Sequence, residues 1–247
     1  MSAEATFAIP PEEVSGLILA GGDGIRVGEG PKAFLKLGDK VLLEHVIELI
    51  GPYVGELIVG LPAGHLERVE TYFGQRPIQR VPGGETRQDT AGILTRLATR
   101  PFVILQDVAR PLTRRDHIEA ALRLVRDRGA VVSIRAANHR DGVALRDGDY
   151  YGQSLARERV ILTQTPQAYR RDILLEAFRQ AETHGWQEIS PASLVAKAGY
   201  SVRLLESPTD NLKITYPGDL EAAEAQFMKD RPAEDRAAPP RGSGTLG

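Results

Sequence analysis

Short runs of consecutive apolar residues alternate along the chain with longer stretches in which apolar positions recur at three- and four-residue spacing. The runs at 15–20, 56–61, 77–81, 102–107, 130–135 and 202–206 read as buried strands. Between them the spacing predicts helices over 42–50, 65–73, 86–98, 115–128, 172–184 and 192–198. A last helix, 217–228, opens with a proline at a first-turn position. In 86–98 the residues Ala91, Ile93, Leu94 and Leu97 form an approximate helical stripe. Such alternation predicts an α/β fold, a mostly parallel sheet covered by helices. Strand order is not legible, but right-handed crossovers put the loops that follow parallel strands on one sheet edge.

Two stretches break the alternation. Residues 139–162 carry Arg146-Asp147-Gly148-Asp149, a hairpin-turn pattern, followed by extended Tyr150-Tyr151-Gly152. This predicts a protruding β-arm that covers the site or grips a partner subunit. From Lys229 onward the chain is poor in large apolar residues and is expected to be a disordered tail. Residues 1–13 read as a flexible extension, leaving 14–228 as one domain without internal repeats.

Composition narrows the class. The 247 residues are 42% hydrophobic and 26% charged, the range of an ordinary protein with one large core. A net charge of −2 gives no basis for a nucleic-acid or membrane surface. Without cysteine, disulfides, thiolate metal sites and cysteine nucleophiles are excluded. His45, His65, His117, His139 and His184 lack metal-ligand spacing and are expected at the surface or at caps. The first residues show no basic and apolar targeting pattern, and no segment approaches the ~20 apolar residues of a membrane helix, so a cytoplasmic protein is expected.

The candidate chemistry lies at strand ends. The first strand spills into Gly21-Gly22-Asp23-Gly24, followed by Arg26 and Lys32. Glycines let backbone N–H groups approach an anion, and the two cations suit a triphosphate. The plain alternative is a glycine turn with solvated cations. The pattern lacks the third glycine of a dinucleotide fingerprint and the Gly-Lys-Ser/Thr end of a P-loop. Further anchors are Gly83-Gly84-Glu85-Thr86-Arg87, Gln106-Asp107-Val108-Ala109-Arg110-Pro111 and Asp210-Asn211-Leu212-Lys213. Asp107 closes an apolar strand, a placement suited to a Mg²⁺ ligand shared with substrate phosphates. The alternative there is a helix cap or an ion pair with Arg110. Converging on one crevice, these groups suit phosphoryl or nucleotidyl transfer.

The ordered set Leu-x-Ala-Gly-Gly-x-Gly-x-Arg…Pro-Lys, Gly-Gly-x-x-Arg, Asp-x-Ala-Arg-Pro, Thr-Pro-Gln and Asp-Asn-x-Lys-Ile-Thr resembles the 2-C-methyl-D-erythritol 4-phosphate cytidylyltransferase family from about Val14 to Met228. The resemblance implies a Rossmann-like, nucleotide-diphospho-sugar transferase type of fold and transfer of CMP from CTP to a sugar-alcohol phosphate. It implies that Ala20, Gly21 and Gly22 meet the nucleotide through their backbone, with Gly84, Glu85 and Thr90 at the base and ribose. Arg26, Lys32 and Lys213 would hold the triphosphate, and Asp107 would hold Mg²⁺. Arg157 and Asp141 would take the acceptor, Arg157 from an arm exchanged across a homodimer. Two departures fall in the acceptor half: Gly142 replaces a hydroxyl residue, and Ile189-Ser190-Pro191-Ala192 replaces an acidic stretch. They keep open another polyol phosphate such as ribitol 5-phosphate, or a nucleotide-binding homologue without catalysis.

Overall fold

Alternate residues of an extended strand face opposite sides of a sheet, and here both sides are apolar. The computed structural model describes residues 9–22, 30–69, 77–137 and 142–230. Strands β1 (Val14–Leu19), β4 (Glu56–Leu61), β5 (Ile78–Pro82), β6 (Phe102–Asp107), β7 (Ala130–Ala136), β10 (Ile161–Arg170) and β11 (Arg203–Glu206) form one sheet in the order β11-β7-β10-β6-β1-β4-β5. All pairings in it are parallel except those of β10, which runs antiparallel to both β6 and β7. Two small antiparallel pairs stand apart: β2 (Lys36–Leu37) with β3 (Lys40–Val41), and β8 (Ala144–Asp147) with β9 (Tyr150–Ser154).

Ile18, Val59 and Ile104 point to one face, where they meet helices α1 (Leu42–Ile50), α3 (Arg115–Arg128) and α6 (Pro217–Asp230). Leu17, Ile58 and Leu105 point to the other, against α2 (Arg87–Leu97), α4 (Arg171–His184) and α5 (Pro191–Lys197). Each fully buried Leu or Ile contributes about 1.5–3 kcal/mol, so the strands form a stiff frame for the loops at their ends. Helices α3 and α4 both stop at a glycine in the left-handed region, Gly129 (φ 75°) and Gly185 (φ 65°). Packing starts ahead of β1, where Ile9 is buried and Pro11–Glu13 form a 3-10 turn. Residues 1–8 and 231–247, and so most of the expected extension and tail, lie outside the described residues.

The expected strands and helices agree with the structure to within a residue or two, apart from the helix over 65–73, which runs into residues outside those described. The hairpin turn at Gly148 joins β8 to β9 as expected. What the apolar pattern does not reveal is β10. Its run Thr163-Gln164-Thr165-Pro166-Gln167 is polar and holds a proline, both of which argue against a central strand. A register shift between Gln164 and Gln167 accommodates it, and Thr165-Pro166 is a cis peptide. The polar side chains there are buried and engaged by other segments.

Candidate active site

Parallel strands deliver their carboxyl ends to one edge, and the register keeps those ends level: Leu19 lies opposite both Gly60 and Asp107, and Leu61 opposite Pro82. The loops that follow open onto a cleft of about 410 Å³ whose lining includes Gly21, Gly22, Lys32, Glu85, Asp107 and Lys213. Such placement beyond the carboxyl ends of strands is where open α/β sheets hold ligands.

After β1 the chain leaves the sheet in steps. The Ala20 N–H donates to Gly60 O at 2.9 Å, so that donor is already used. Gly22 O accepts the N–H of Lys32 at 3.3 Å, closing the loop. Lys32 Nζ donates to Ile214 O at 3.0 Å, which ties this side chain to the segment that follows Lys213.

On the opposite wall, Thr86 caps α2. Its Oγ1 accepts from the Asp89 N–H at 3.1 Å, and its own N–H donates to Asp89 Oδ2 at 3.0 Å. Thr90 Oγ1 accepts the Gly84 N–H and donates to Thr86 O, both at 3.1 Å. Thr90 lines the cleft, yet its hydroxyl is committed to holding the Gly84 turn. Gly84 packs so close to the helix that a Cβ there would stand 2.3 Å from Asp89 Cβ.

Asp107 stands at the centre with 6% of its surface exposed. Arg87 Nε and Nη2 donate to its Oδ1 at 3.1 and 2.8 Å, and Lys213 Nζ donates to its Oδ2 at 2.9 Å. Burial alone would raise this carboxyl; the charges of Arg87 and Lys213, with their hydrogen bonds, hold it well below the ordinary value of 3.8. Asp107 is therefore ionised, and its side-chain partners are Arg87 and Lys213 rather than Arg110. A hard carboxylate oxygen suits Mg²⁺, and among the described residues no group of three or more His, Cys, Asp or Glu is placed to hold a metal. That donor set fits a Mg²⁺ taking its remaining ligands from phosphates and water.

Lys213 owes its place to the segment 207–213. Arg110, also 6% exposed, donates from Nη1 to Asn211 O at 2.6 Å, while its Nε is buried without a partner. Burial pulls Arg110 down from the ordinary arginine value, and the charge of Asp107 offsets part of that. Asn211 Nδ2 donates to Gln164 Oε1 at 3.0 Å and Thr165 O at 2.9 Å, and Asn211 Oδ1 accepts from Thr113 Oγ1 at 2.9 Å. Beneath it, His117 Nε2 meets Ser133 Oγ at 2.9 Å and Ser207 Oγ at 3.3 Å. Burial lowers the pKa of His117. This corrects the expectation for that histidine: it is buried, because its ring bridges α3, β7 and the loop that carries Lys213.

The structure thus gathers Gly21, Gly22, Lys32, Gly84, Glu85, Thr90, Asp107 and Lys213 around one cleft, with Ala20 buried just behind it. Arg26 and Asp141 lie outside the described residues. Arg157 is exposed on the 3-10 turn Arg157–Arg159 between β9 and β10, and does not line the cleft of its own chain. Arg87 enters the sequence pattern only as the end of Gly-Gly-x-x-Arg, with no role attached; its spacing from the glycine pair is the one trace of it.

The model of the family described as 2-C-methyl-D-erythritol 4-phosphate cytidylyltransferase matches residues 14–229. A protein of that name from Thermus thermophilus is 37% identical over 213 residues, covering 86% of this chain and 96% of its own. Another from Deinococcus radiodurans is 36% identical over 210 residues, covering 85% and 87%. A solved Thermus thermophilus structure of that name superposes with a TM-score of 0.75 at 34% identity, over 87% of this chain and 98% of that one. A 4-diphosphocytidyl-2C-methyl-D-erythritolsynthase structure from Anaerococcus prevotii, 19% identical, shares the fold at a TM-score of 0.76 over 88% and 99%.

Proposed function

This chain belongs to the 2-C-methyl-D-erythritol 4-phosphate cytidylyltransferase family, and from that premise we propose how its cleft works. It transfers the CMP group of CTP to 2-C-methyl-D-erythritol 4-phosphate and releases pyrophosphate, a step toward isoprenoid precursors. The observation that carries the reading is the convergence of Lys32, Lys213 and an ionised Asp107 on one cleft beside a glycine-rich turn.

A phosphate oxygen of the acceptor attacks the α-phosphorus of CTP. The new P–O bond forms as the bond to the bridging oxygen of the β-phosphate breaks, and that oxygen leaves with pyrophosphate. The attacking phosphate monoester is already anionic near neutral pH, so no general base is needed. What the protein must do is offset anion–anion repulsion and hold an in-line approach. The backbone of Gly21 and Gly22 and the ammonium of Lys32 take the triphosphate, and Arg26, between them in the sequence, is assigned the same role. Gly84 and Glu85 face the base and ribose. Lys213 exchanges Asp107 Oδ2 for a phosphate oxygen of the substrate, balancing charge that builds on the α-phosphate. Asp107 is the residue that would hold Mg²⁺, whose bound charge would screen the phosphates for attack.

The acceptor half is completed by a second copy of the chain. Leu145, Tyr150 and Tyr151 are exposed on the β8–β9 hairpin, Tyr150 at 81% and Tyr151 at 76%. So much apolar surface on one hairpin fits a covered interface, and Arg157 at its base would then reach the partner's cleft. No helix among the described residues is long and apolar enough to cross a membrane, and we place the enzyme in the cytoplasm.

Pyrophosphate release with CTP and Mg²⁺ tests the reading, with methylerythritol phosphate and ribitol 5-phosphate offered in parallel. Release with the first acceptor is expected. Release with ribitol phosphate alone would replace the substrate, and CTP binding without release for either would refute catalysis.

A further inference from the structure

Arg87 stands outside the phosphate-handling inventory, yet it contacts the central carboxylate of the cleft through two donors. It occupies the first position of α2, where the Thr86–Asp89 capping box sets the backbone. From there two of its donors, Nε and Nη2, converge on a single oxygen, Asp107 Oδ1, at 3.1 and 2.8 Å. The other oxygen, Oδ2, is held among the described residues by Lys213 at 2.9 Å. The main chain of Asp107 is pinned as well, its N–H donating to Thr165 Oγ1 at 3.1 Å.

The two cations differ in what they can do. Arg87 presents a planar fork whose two contacts define how the carboxylate is turned. Lys213 is a point charge on a flexible stem, and its ammonium is needed at a phosphate during the reaction. Once it departs, Oδ2 is open to the cleft while Oδ1 stays occupied. We propose that Arg87 is a positioning residue: by holding Asp107 Oδ1 it reserves Oδ2, in a fixed orientation, for the divalent cation that accompanies CTP. The inference rests on the reading of Asp107 as the Mg²⁺ ligand.

Binding of CTP to the full chain, followed by titration calorimetry over a series of Mg²⁺ concentrations, tests it in wild type, R87K and R87Q. A partner that orients a metal ligand typically tunes metal affinity by about 10–100-fold. In R87Q the Mg²⁺ concentration for half-maximal CTP binding should therefore rise by about tenfold or more. R87K, which keeps the charge but loses the fork, should fall between. Excess Mg²⁺ should restore wild-type CTP affinity in both, a rescue that a merely structural role does not provide. Circular dichroism and thermal melting identify a variant that has not folded, and R87K then carries the comparison. An unchanged Mg²⁺ midpoint in the folded variants overturns the proposal, as does a loss of CTP binding that Mg²⁺ cannot restore. If wild type itself binds CTP regardless of Mg²⁺, the reading of Asp107 fails and this inference with it, an outcome recognised in the unmutated protein.

Discussion

Replacing Asp107 with asparagine removes the central charge of the cleft while keeping the shape of the side chain. A hydrogen bond to an ionised group contributes about 1.5–3 kcal/mol, and Asp107 receives such bonds from both Arg87 and Lys213. Asparagine keeps one acceptor oxygen, and it also escapes the cost of burying a charge. The two cations are 30% and 41% exposed at their side chains, so solvent screens part of the attraction. Pairing nevertheless outweighs burial, because the carboxyl is held below its ordinary value despite its enclosure. A net loss of about 2 kcal/mol follows, which for a chain of this size is a drop in Tm of roughly 4–8 °C. The assay is thermal unfolding at pH 7 in Mg²⁺-free buffer. A second arm uses pH. A carboxyl whose folded pKa lies below the unfolded value of 3.8 stabilises fully above that value, and the contribution is lost as pH falls through the folded pKa. The gap between wild type and D107N should therefore narrow below about pH 4. A D107N protein as stable as wild type at neutral pH, or a gap that widens in acid, would refute the argument that the two cations stabilise this carboxylate.

Four further outcomes are expected. K32A and K213A should each lower kcat for pyrophosphate release by ~10²–10³, the scale for losing one charge-stabilising donor; turnover close to wild type would remove that lysine from the site. G84A forces a Cβ to within 2.3 Å of Asp89 and should raise the KM for CTP and cost about 1–3 kcal/mol in urea unfolding. G22A, where no atom of the described residues lies within 4 Å of the added Cβ, should leave stability unchanged; equal losses in the two variants would contradict the packing. His117 is held by burial below its ordinary value of 6.5, so its stabilisation is present above that pH and declines as pH falls; H117Q should flatten that part of the urea-midpoint profile, and parallel profiles would count against it. Aspartate at Tyr150 and Tyr151 should convert a dimer to a monomer in light scattering and reduce turnover of the acceptor, whereas a fully active monomeric wild type would end the arm-exchange reading.

Local chemistry made much of this legible. The run Leu17-Ile18-Leu19 reads as a buried strand, and the structure splits its side chains between two cores. Gly21, Gly22 and Gly84 marked backbone whose N–H groups can come close to an anion because glycine carries no Cβ. Asp107 and Lys213 stood out because a charge at the end of an apolar strand, or in the loop beyond one, faces the ligand edge. The missed features share a different property. Strand β10 reads as polar loop because its buried Gln164, Thr165 and Gln167 are satisfied by segments up to 58 residues away. His117 looked like a surface histidine because the serines that meet it come from β7 and from the loop after β11.

By itself, then, the sequence determined the layered α/β class, the strand-end loops and the residue types suited to nucleotidyl transfer, since each depends on periodicity or on a residue's intrinsic geometry within a few positions. Only the tertiary structure decided which charges pair. Arg87 and Asp107 are 20 residues apart, and Asp107 and Lys213 are 106 apart. Their meeting depends on strand order and on the antiparallel insertion of β10, which long-range packing sets and no local pattern encodes.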